Sequence, residues 1–540
     1  MSTHRWRLVA LGTLGTAACL SPTVLAQSWT HFAGDASRSS TNAGSLAPGA
    51  GVLAAPLWTV SQDSLGRAIT FVGQSTPVVS PSHVLAIGSI QLAAKQFSLY
   101  AVDRRTGAIA WAAPIASPTL DSWASPALDL EHNAAIVATG ATLASFDLAT
   151  GALKWSLALA APVVNASPAV TTDLLIRDRV LITEYDGFAG NARLVCVNID
   201  AFDGAFNPRQ PGTIVWTYPL GFASGDTVAY HQGRAYVGTM GDPGSAPGSI
   251  LCFDVVAGPA PLWSFDNVID EGFFAAPAVH QPTARDSGDH GAFVLAASYA
   301  FTGGRESANL IKLDARTGEL RWSVACNRTG ATPIVLPDGR IALSGGLKGY
   351  GTLPTLQLFA DHETWGERLW DSALNTWTDA NHNGQIDLGE FTVMGGWTHQ
   401  PALASKRNTL FIGATPTGGS SYSPCTDLYA IDITKLPTGV GSAQPGFIAA
   451  QRTGVGSAPA IDAASLYSIG AAGLQAFGPA PAHTDVNADG VADIEDLYWW
   501  EQGRGDRDVN RDASVNSLDH EELLRVLRAD ELDDMASHRP

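Results

Sequence analysis

The sequence lacks the local motifs that would reveal a reaction. It has no G-x-S-x-G motif and no C-x-x-C motif, so serine hydrolase chemistry, thiolate metal sites and haem attachment have no support. Charge is scarce as well, because only 15% of the residues are charged and the net charge is -19. Without a basic face, a nucleic-acid partner is not expected. The 55 glycines and 31 prolines instead indicate a large all-β protein with many turns.

Long hydrophobic runs are absent after the N-terminus, so no transmembrane helix is predicted. Three basic residues among the first seven precede an apolar run at 8–20, and small residues lie at Ala26 and two positions earlier. This pattern predicts a signal peptide at 1–26 and a secreted, periplasmic or cell-surface protein. Two alternatives stay open, an uncleaved anchor and lipidation at Cys19.

Cysteine is rare, and four cysteines remain after cleavage at Ala26. The predicted compartment permits disulfides, but their pairing cannot be deduced from the sequence. Cys196 and Cys252 fall at equivalent positions of an internal repeat where other copies have Ala or Ser, which favours small buried residues. The four are Cys196, Cys252, Cys326 and Cys425.

An internal repeat organises most of the chain. One half of the unit is a strand ending in Asp, a turn containing Thr-Gly, and a returning strand containing Trp. We expect the Asp to cap the turn, the Gly to take the left-handed conformation and the Trp to pack against a neighbouring sheet. The best copies are 103–111, 147–155 and 314–322.

The other half of the unit is a small residue, a proline and an apolar strand. Proline fits this position because the first residue of a strand need not donate a hydrogen bond to the sheet. Seven prolines and one copy without proline, near Thr227-Val228, give eight units. Seven tryptophans give the same count, with Phe447 in the place of an eighth. The prolines are Pro77, Pro126, Pro168, Pro277, Pro333, Pro401 and Pro459. The tryptophans are Trp58, Trp111, Trp155, Trp216, Trp263, Trp322 and Trp370.

Four strands per unit at this period predict an all-β fold, an eight-bladed β-propeller over 27–478, with a solenoid as the alternative. The strand near Trp58 has no complete unit before it, and the last unit lacks a strand of its own. We therefore predict that the strand near Trp58 completes the last blade and closes the ring. Trp123 and Trp397 are predicted to pack in the blades rather than stack on a ligand.

A loop at 379–390 matches the pattern D-x-N-x-N-G-x-I-D-x-x-E and reads as an insertion between strands. Calcium takes six to eight oxygens, supplied by side chains at positions 1, 3 and 5, a carbonyl at position 7 and a bidentate carboxylate at position 12. Gly384 permits the sharp turn. The predicted ligands are Asp379, Asn381, Asn383, Gln385, Asp387 and Glu390.

Two further loops of this kind lie in the C-terminal segment, where 485–540 holds 16 acidic residues and 6 arginines. Each leads into an apolar helical stretch, and Trp499 and Trp500 are predicted to pack the two halves together. Ala513 replaces the turn glycine of the second loop. The predicted ligands are Asp485, Asn487, Asp489, Asp493 and Asp496, then Asp508, Asn510, Asp512, Asn516 and Asp519. We expect a linker at 479–484, an α-helical calcium module at 485–528 and an acidic tail at 529–540.

The A-x-D-x-x-T-G-x-x-x-W pattern resembles the repeat of the pyrroloquinoline quinone (PQQ) enzyme family, and 29–35 is similar to the start of many such domains. The resemblance covers about 28–478 and implies the fold but not an activity, because many members are non-catalytic, including an outer-membrane assembly lipoprotein. The family's dehydrogenases typically have two adjacent cysteines and a Glu, Asn and Asp calcium set, and neither is found here. We therefore expect calcium as the cofactor and do not expect PQQ.

Residues 485–525 resemble a dockerin module or its bacterial EF-hand relatives, with the dockerin habit of Asp at position 12. The resemblance implies docking to a cohesin-like receptor in a polysaccharide-degrading assembly, although a self-contained EF-hand pair fits equally well. We predict a secreted, non-enzymatic, calcium-binding propeller that acts as a binding or scaffold protein with an unknown ligand on its face. The alternatives are a PQQ-dependent dehydrogenase and a carbohydrate-active component of such an assembly.

Overall fold

A computed structural model shows an eight-bladed β-propeller. It describes residues 28–527 except 45, 50, 121, 186–188, 224, 243, 269–270, 283–290, 301–303, 305, 347–351, 415–424, 463–464, 479–485, 488–492, 506, 508, 510–514, 516, 518, 522 and 525–526. The predicted signal peptide, linker and acidic tail lie outside the described residues. No helix in the described ranges is long and apolar enough to cross a membrane.

Each blade is an antiparallel sheet whose strands follow the chain from the axis outward. Blade 1 has the strands Val78–Val79, His83–Gln91, Lys95–Asp103 and Ile109–Pro114, and blade 2 has Ala127–Asp129, Ala134–Asp147 and Leu153–Val163. Blade 3 has Ala169–Val170, Arg179–Thr183, Ala192–Asn198 and Ile214–Gly221, and blade 4 has Ala229–His231, Arg234–Gly238, Ser249–Asp254 and Pro261–Asp266. In blade 2 the single strand Ala134–Asp147 takes the place of two and bends at Gly140 (φ +56°).

Blade 5 has the strands Ala278–His280, Phe293–Ala297, Ala308–Asp314 and Leu320–Cys326, and blade 6 has Ile334–Val335, Ile341–Gly345, Thr355–Asp361 and Gly366–Asp371. Blade 7 has Ala402–Ala404, Thr409–Ala414, Asp427–Asp432 and Ile448–Thr453, and blade 8 has Ala460–Ile461, Leu466–Gly470, Gly473–Phe477 and Trp58–Val60. Short additional strands are Thr41–Asn42, Ile69–Phe71, Glu271–Gly272 and Tyr299–Ala300. The helices whose bounds lie wholly in the described residues are Ser372–Thr376 and Ile494–Glu501, with 3₁₀ turns at Leu175–Arg177, Ser405–Arg407 and Ile433–Lys435.

The ring is closed by the strand that the sequence predicted. Trp58–Val60 pairs antiparallel with Gly473–Phe477, with Trp58 opposite Ala476 and Val60 opposite Leu474. A strand from the start of the chain thus supplies the outer edge of the last blade. The prediction of a closed ring rather than an open stack is confirmed, and closure leaves no blade without a neighbour.

The three best copies of the repeat turn have the predicted chemistry. The carboxylate of Asp103 accepts hydrogen bonds from the backbone N–H of Thr106 (2.8 Å) and from its hydroxyl (2.7 Å), and Gly107 has φ +73°. Asp147 and Asp314 cap their turns in the same way. Because the caps satisfy the turn amides, these hairpins are fixed by local contacts.

The repeated tryptophan of one blade covers the turn glycine of the next. A Cβ at this glycine would lie within 3.0 Å of the indole, so only glycine permits the contact. The pairs are Trp58 with Gly107, Trp111 with Gly151, Trp155 with Gly212, Trp216 with Gly258, Trp263 with Gly318 and Trp322 with Gly366.

In blades 1 to 4, the small residue two positions before the innermost strand joins neighbouring blades. The N–H of Thr76 donates to the hydroxyl of Ser125 (2.8 Å), the N–H of Ser125 to that of Ser167 (2.9 Å), and the N–H of Ser167 to that of Thr227 (3.0 Å). These side chains are buried. Since buried N–H groups need partners, this hydroxyl chain explains why the position is small and polar in blades 1 to 4.

Candidate functional site

The N-terminal segment 29–42 lies against the inner ends of the blades, around the propeller axis. Its backbone or side chains hydrogen-bond to the innermost strands of seven blades, blade 6 being the exception in the described part of the chain. These partners are Val79, Leu128, Pro168, Val170, Val228, Tyr230, Val279, Pro401, Leu403 and Ile461. Arg38 is fully buried, and its guanidinium donates to the carbonyls of Phe32, Pro168 and Val228 at 2.9–3.1 Å. The segment therefore binds the blades to one another through the axis.

An aromatic cluster lies beside the turns that lead into the innermost strands. Trp123 and Trp397 meet edge to face, with centroids 5.5 Å apart and planes at 80°. Phe274 and Tyr299 pack on Trp397 at 6.1 and 5.6 Å. These residues come from blades 2, 5 and 7, which are not neighbours in the ring, so they meet at the axis. Both tryptophans do pack, but with each other across the axis rather than within their blades.

The loop 379–390 connects blade 6 to blade 7, as an insertion between strands. Its ends are joined by a hydrogen bond from the N–H of Thr378 to the carbonyl of Glu390 (2.8 Å), and Gly384 has φ +73°. Phe391, which follows the loop, is buried in the core shared by these two blades, and Ile386 packs against it. The loop is therefore anchored on both sides.

The carboxylates of Asp379 and Glu390 both turn into this loop. Asp379 accepts from the N–H groups of Asn383 and Gly384 at 3.1 Å. Glu390 accepts from Ala380 and Asn381 at 3.0 Å through Oε1, and from Asp387 at 3.3 Å through Oε2. Positions 1 and 12 thus face the inside of the same turn.

The remaining predicted ligands of this loop meet at Asp387. Its Oδ2 accepts from the side-chain amides of Asn381 (2.9 Å) and Asn383 (2.7 Å), and these two bonds lower the pKa of Asp387. Gln385 donates its N–H to the carbonyl oxygen of the Asn383 side chain (2.7 Å). The donor set fits calcium by its chemistry, since each amide needs only a half-turn to present oxygen instead of nitrogen.

Two hydrogen bonds within the first C-terminal loop have equivalents at the same positions of the loop at 379–390. Asp496 at position 12 accepts from the N–H of Asn487 at position 3 (2.9 Å) and of Asp493 at position 9 (2.8 Å). Glu390 accepts from the same two positions. The other ligands predicted here, Asp485 and Asp489, lie outside the described residues.

The second C-terminal loop is described only at its end. Asp519 is fully buried, whereas Asp508, Asn510, Asp512 and Asn516 lie outside the described residues. Val486, Val509 and Leu523 form a buried cluster with Trp499 and Trp500 against it, as predicted for the packing of the two halves. In the described part of the chain, no three His, Cys, Asp or Glu side chains are grouped as metal ligands. A calcium site here would depend on the amide and backbone oxygens that complete the loop.

The four cysteines in the described part of the chain are buried and form no disulfide. Burial raises the pKa of Cys196 and Cys252 to about 12, so neither is a thiolate near neutral pH. Cys425 Sγ lies 2.6 Å from Nε2 of His399, a buried contact that sequence analysis missed. Burial lowers the pKa of His399 to about 4 and raises that of Cys425, so the pair is neutral rather than an activated nucleophile.

Residues 54–204 match a family model described as outer membrane protein assembly factor BamB. The described chain is thus an eight-bladed β-propeller, and its first blades are similar to this family. None of the curated proteins matches it. Among solved structures, it is similar to a europium-containing methanol dehydrogenase (13% identity, 86% of this chain and 95% of that one, TM-score 0.54). It is also similar to the quinohemoprotein alcohol dehydrogenase ADHIIG from Pseudomonas putida HK5 (12% identity, 86% and 78%, TM-score 0.52). BamB from Moraxella catarrhalis matches at 17% identity over 76% and 95%, with a TM-score of 0.46.

Proposed function

We propose that the protein is a secreted, non-enzymatic scaffold, a calcium-stabilised propeller that presents a binding face and docks to a partner through its C-terminal module. The observation that carries this proposal is the occupied centre of the ring. The segment 29–42 passes the innermost strands of seven blades in turn, and Trp123 and Trp397 meet at 80°. A flat cofactor held between two side chains needs parallel faces, which these indoles do not offer.

Calcium binding is supported by the likeness between the loops at 379–390 and 485–496. In both, the carboxylate at position 12 accepts from positions 3 and 9, so it faces the centre of the turn. One loop lies between two blades and the other begins a helix, so the geometry follows from the shared motif rather than from the surroundings. We propose that calcium rigidifies the insertion and the C-terminal module.

Docking through the C-terminal module is supported by its exposed apolar side chains. Ile494 and Tyr498 are four residues apart on the helix Ile494–Glu501 and are 71% and 61% exposed. Such a pair lies on one helix face, opposite the buried cluster around Leu523. We propose that this face meets a cohesin-like receptor. A periplasmic or cell-surface location is supported by the match to the BamB family model.

Binding experiments with the mature chain test this function. Calorimetry with calcium should give saturable binding, and a purified cohesin-type receptor should be captured in calcium but not in chelator. The variant Ile494→Ser/Tyr498→Ser should keep calcium binding and lose capture, whereas Val440→Ser, at an equally exposed apolar position of blade 7, should keep both. If the parent chain binds no calcium, the proposed function is wrong.

A second candidate is a PQQ-dependent dehydrogenase. It is favoured by the aromatic cluster at the axis, where the guanidinium of Arg328 lies 5.5 Å from the ring centroid of Tyr299. Reconstitution with quinone and calcium should then give a bound chromophore and alcohol-dependent dye reduction. Release of reducing sugar from polysaccharide would instead favour the carbohydrate-active alternative.

A further inference from the structure

His132 lies at the joint between blades 2 and 3, in the turn before the strand Ala134–Asp147. Its Nδ1 is 2.8 Å from Oδ2 of Asp129 in blade 2, and its Nε2 is 2.9 Å from Oδ1 of Asp200 in blade 3. Ionised carboxylates only accept hydrogen bonds, so both contacts are satisfied only when both ring nitrogens carry hydrogen. The geometry therefore selects the imidazolium form.

Asp200 lies at the start of the connection 199–213, which is longer than the tight turns at the same place in blades 1, 2, 4, 5 and 6. Its second carboxylate oxygen accepts from the N–H of Asp178 (2.5 Å), and its carbonyl accepts from the side chain of Asn198 (2.8 Å). The base of the connection is thus fixed, while Phe202 and Phe206 at its tip are 54% and 68% exposed.

The charges around His132 are mostly negative. Burial lowers the pKa of His132, but the carboxylates of Asp129, Asp200 and Glu131 outweigh burial, so the net shift is upward. Burial also raises the pKa of Asp129, and this effect exceeds the lowering of that pKa by His132. The remaining charged groups facing this joint are Asp178, whose pKa burial raises, and the cations of Lys154 and Arg179.

We propose that His132 is a proton-dependent clasp between blades 2 and 3 that holds the connection 199–213 in place. A neutral imidazole keeps a single N–H. Asp129 also accepts from the backbone N–H of His132 (3.1 Å) in the same turn, so the remaining N–H stays with Asp129. The lone pair of Nε2 then faces Asp200, and the bond between the blades is the one that is lost.

The sign of the pH dependence follows from the geometry and the charges. A histidine that is bound as a cation contributes stability fully below its ordinary pKa of 6.5 and loses it as pH rises through its higher pKa in the folded chain. The clasp is therefore closed under mildly acidic conditions and opens under alkaline ones. Opening frees the connection that displays Phe202 and Phe206.

Thermal unfolding and hydrogen exchange of the mature chain test the clasp. The parent should unfold about 1–3 °C above His132→Gln at about pH 5.5, and this difference should vanish by about pH 9. Exchange of peptides from 199–213 should accelerate with pH beyond the intrinsic rate in the parent, and should be fast throughout in the variant.

The matched control is His362→Gln, which removes a surface histidine paired with Glu367 at 3.3 Å and should leave 199–213 unchanged. If His132→Gln does not fold, Asp200→Asn removes the charge across the joint and should give the same pH-independent exchange. Equal pH dependence in parent and variant, or unchanged exchange of 199–213, would overturn the proposal. It does not depend on the function proposed above.

Discussion

The indole of Trp111 in blade 1 lies across Gly151 in blade 2, and its Nε1–H donates to the carbonyl of Leu148 at 3.1 Å. A Cβ at Gly151 would stand 2.6 Å from the ring, and the residue has φ +72°. Gly151→Ala should therefore lower the free energy of unfolding by about 2–4 kcal/mol, from the left-handed conformation and from overpacking. Denaturant melts would measure this loss.

Gly66→Ala is the control, because Gly66 has φ +73° but no atom within 4 Å of an added Cβ. It should cost about 1 kcal/mol, the conformational part alone. Equal losses in the two variants would mean that the tryptophan contact adds nothing.

The turns that carry these glycines were predictable from the sequence, because they are formed by residues close together in the chain. The turn at Asp103 and Gly107 depends on a few adjacent residues, so spacing alone fixed its chemistry. The partner of the strand near Trp58 followed from counting repeat halves. The axis was not predictable, because 29–42 has no repeat and its partners extend from Val79 to Ile461. The clasp at His132 was missed for the same reason, since Asp200 lies 68 positions away and on another blade.

Replacing one hydroxyl by a methyl group in the hydroxyl chain of blades 1 to 4 should lower the stability of the propeller. Thr227 is buried, and its Oγ1 accepts from the N–H of Ser167 at 3.0 Å. Thr227→Val keeps the shape but leaves that N–H without a partner, which should cost about 1–3 kcal/mol in unfolding free energy. Thr227→Ser keeps the hydroxyl and should cost less in the same melts. Valine as stable as serine would rule out the hydrogen bond as the reason for this residue.

Calcium should raise the melting temperature through Glu390. Saturating calcium at about a hundred times its dissociation constant would stabilise the chain by about 2.7 kcal/mol per site. Glu390→Gln removes the bidentate carboxylate and should remove one site's share of this gain, measured as the melting shift between calcium and chelator. Glu319→Gln changes an exposed carboxylate on a blade 5 turn and should keep the full shift. A full shift in Glu390→Gln would contradict the assignment of this loop.

The propeller should fold without its C-terminal module. Blade 8 is complete at Phe477, which pairs with Leu466, and its outer strand comes from Trp58–Val60 near the other end of the chain. A chain ending at Gly478 therefore loses no strand of the ring, and its melting temperature in chelator should stay within about 2 °C of that of the mature protein. Calorimetry should show fewer calcium ions per chain, with the site at 379–390 retained. Aggregation of the shortened chain would instead mean that the module completes the fold.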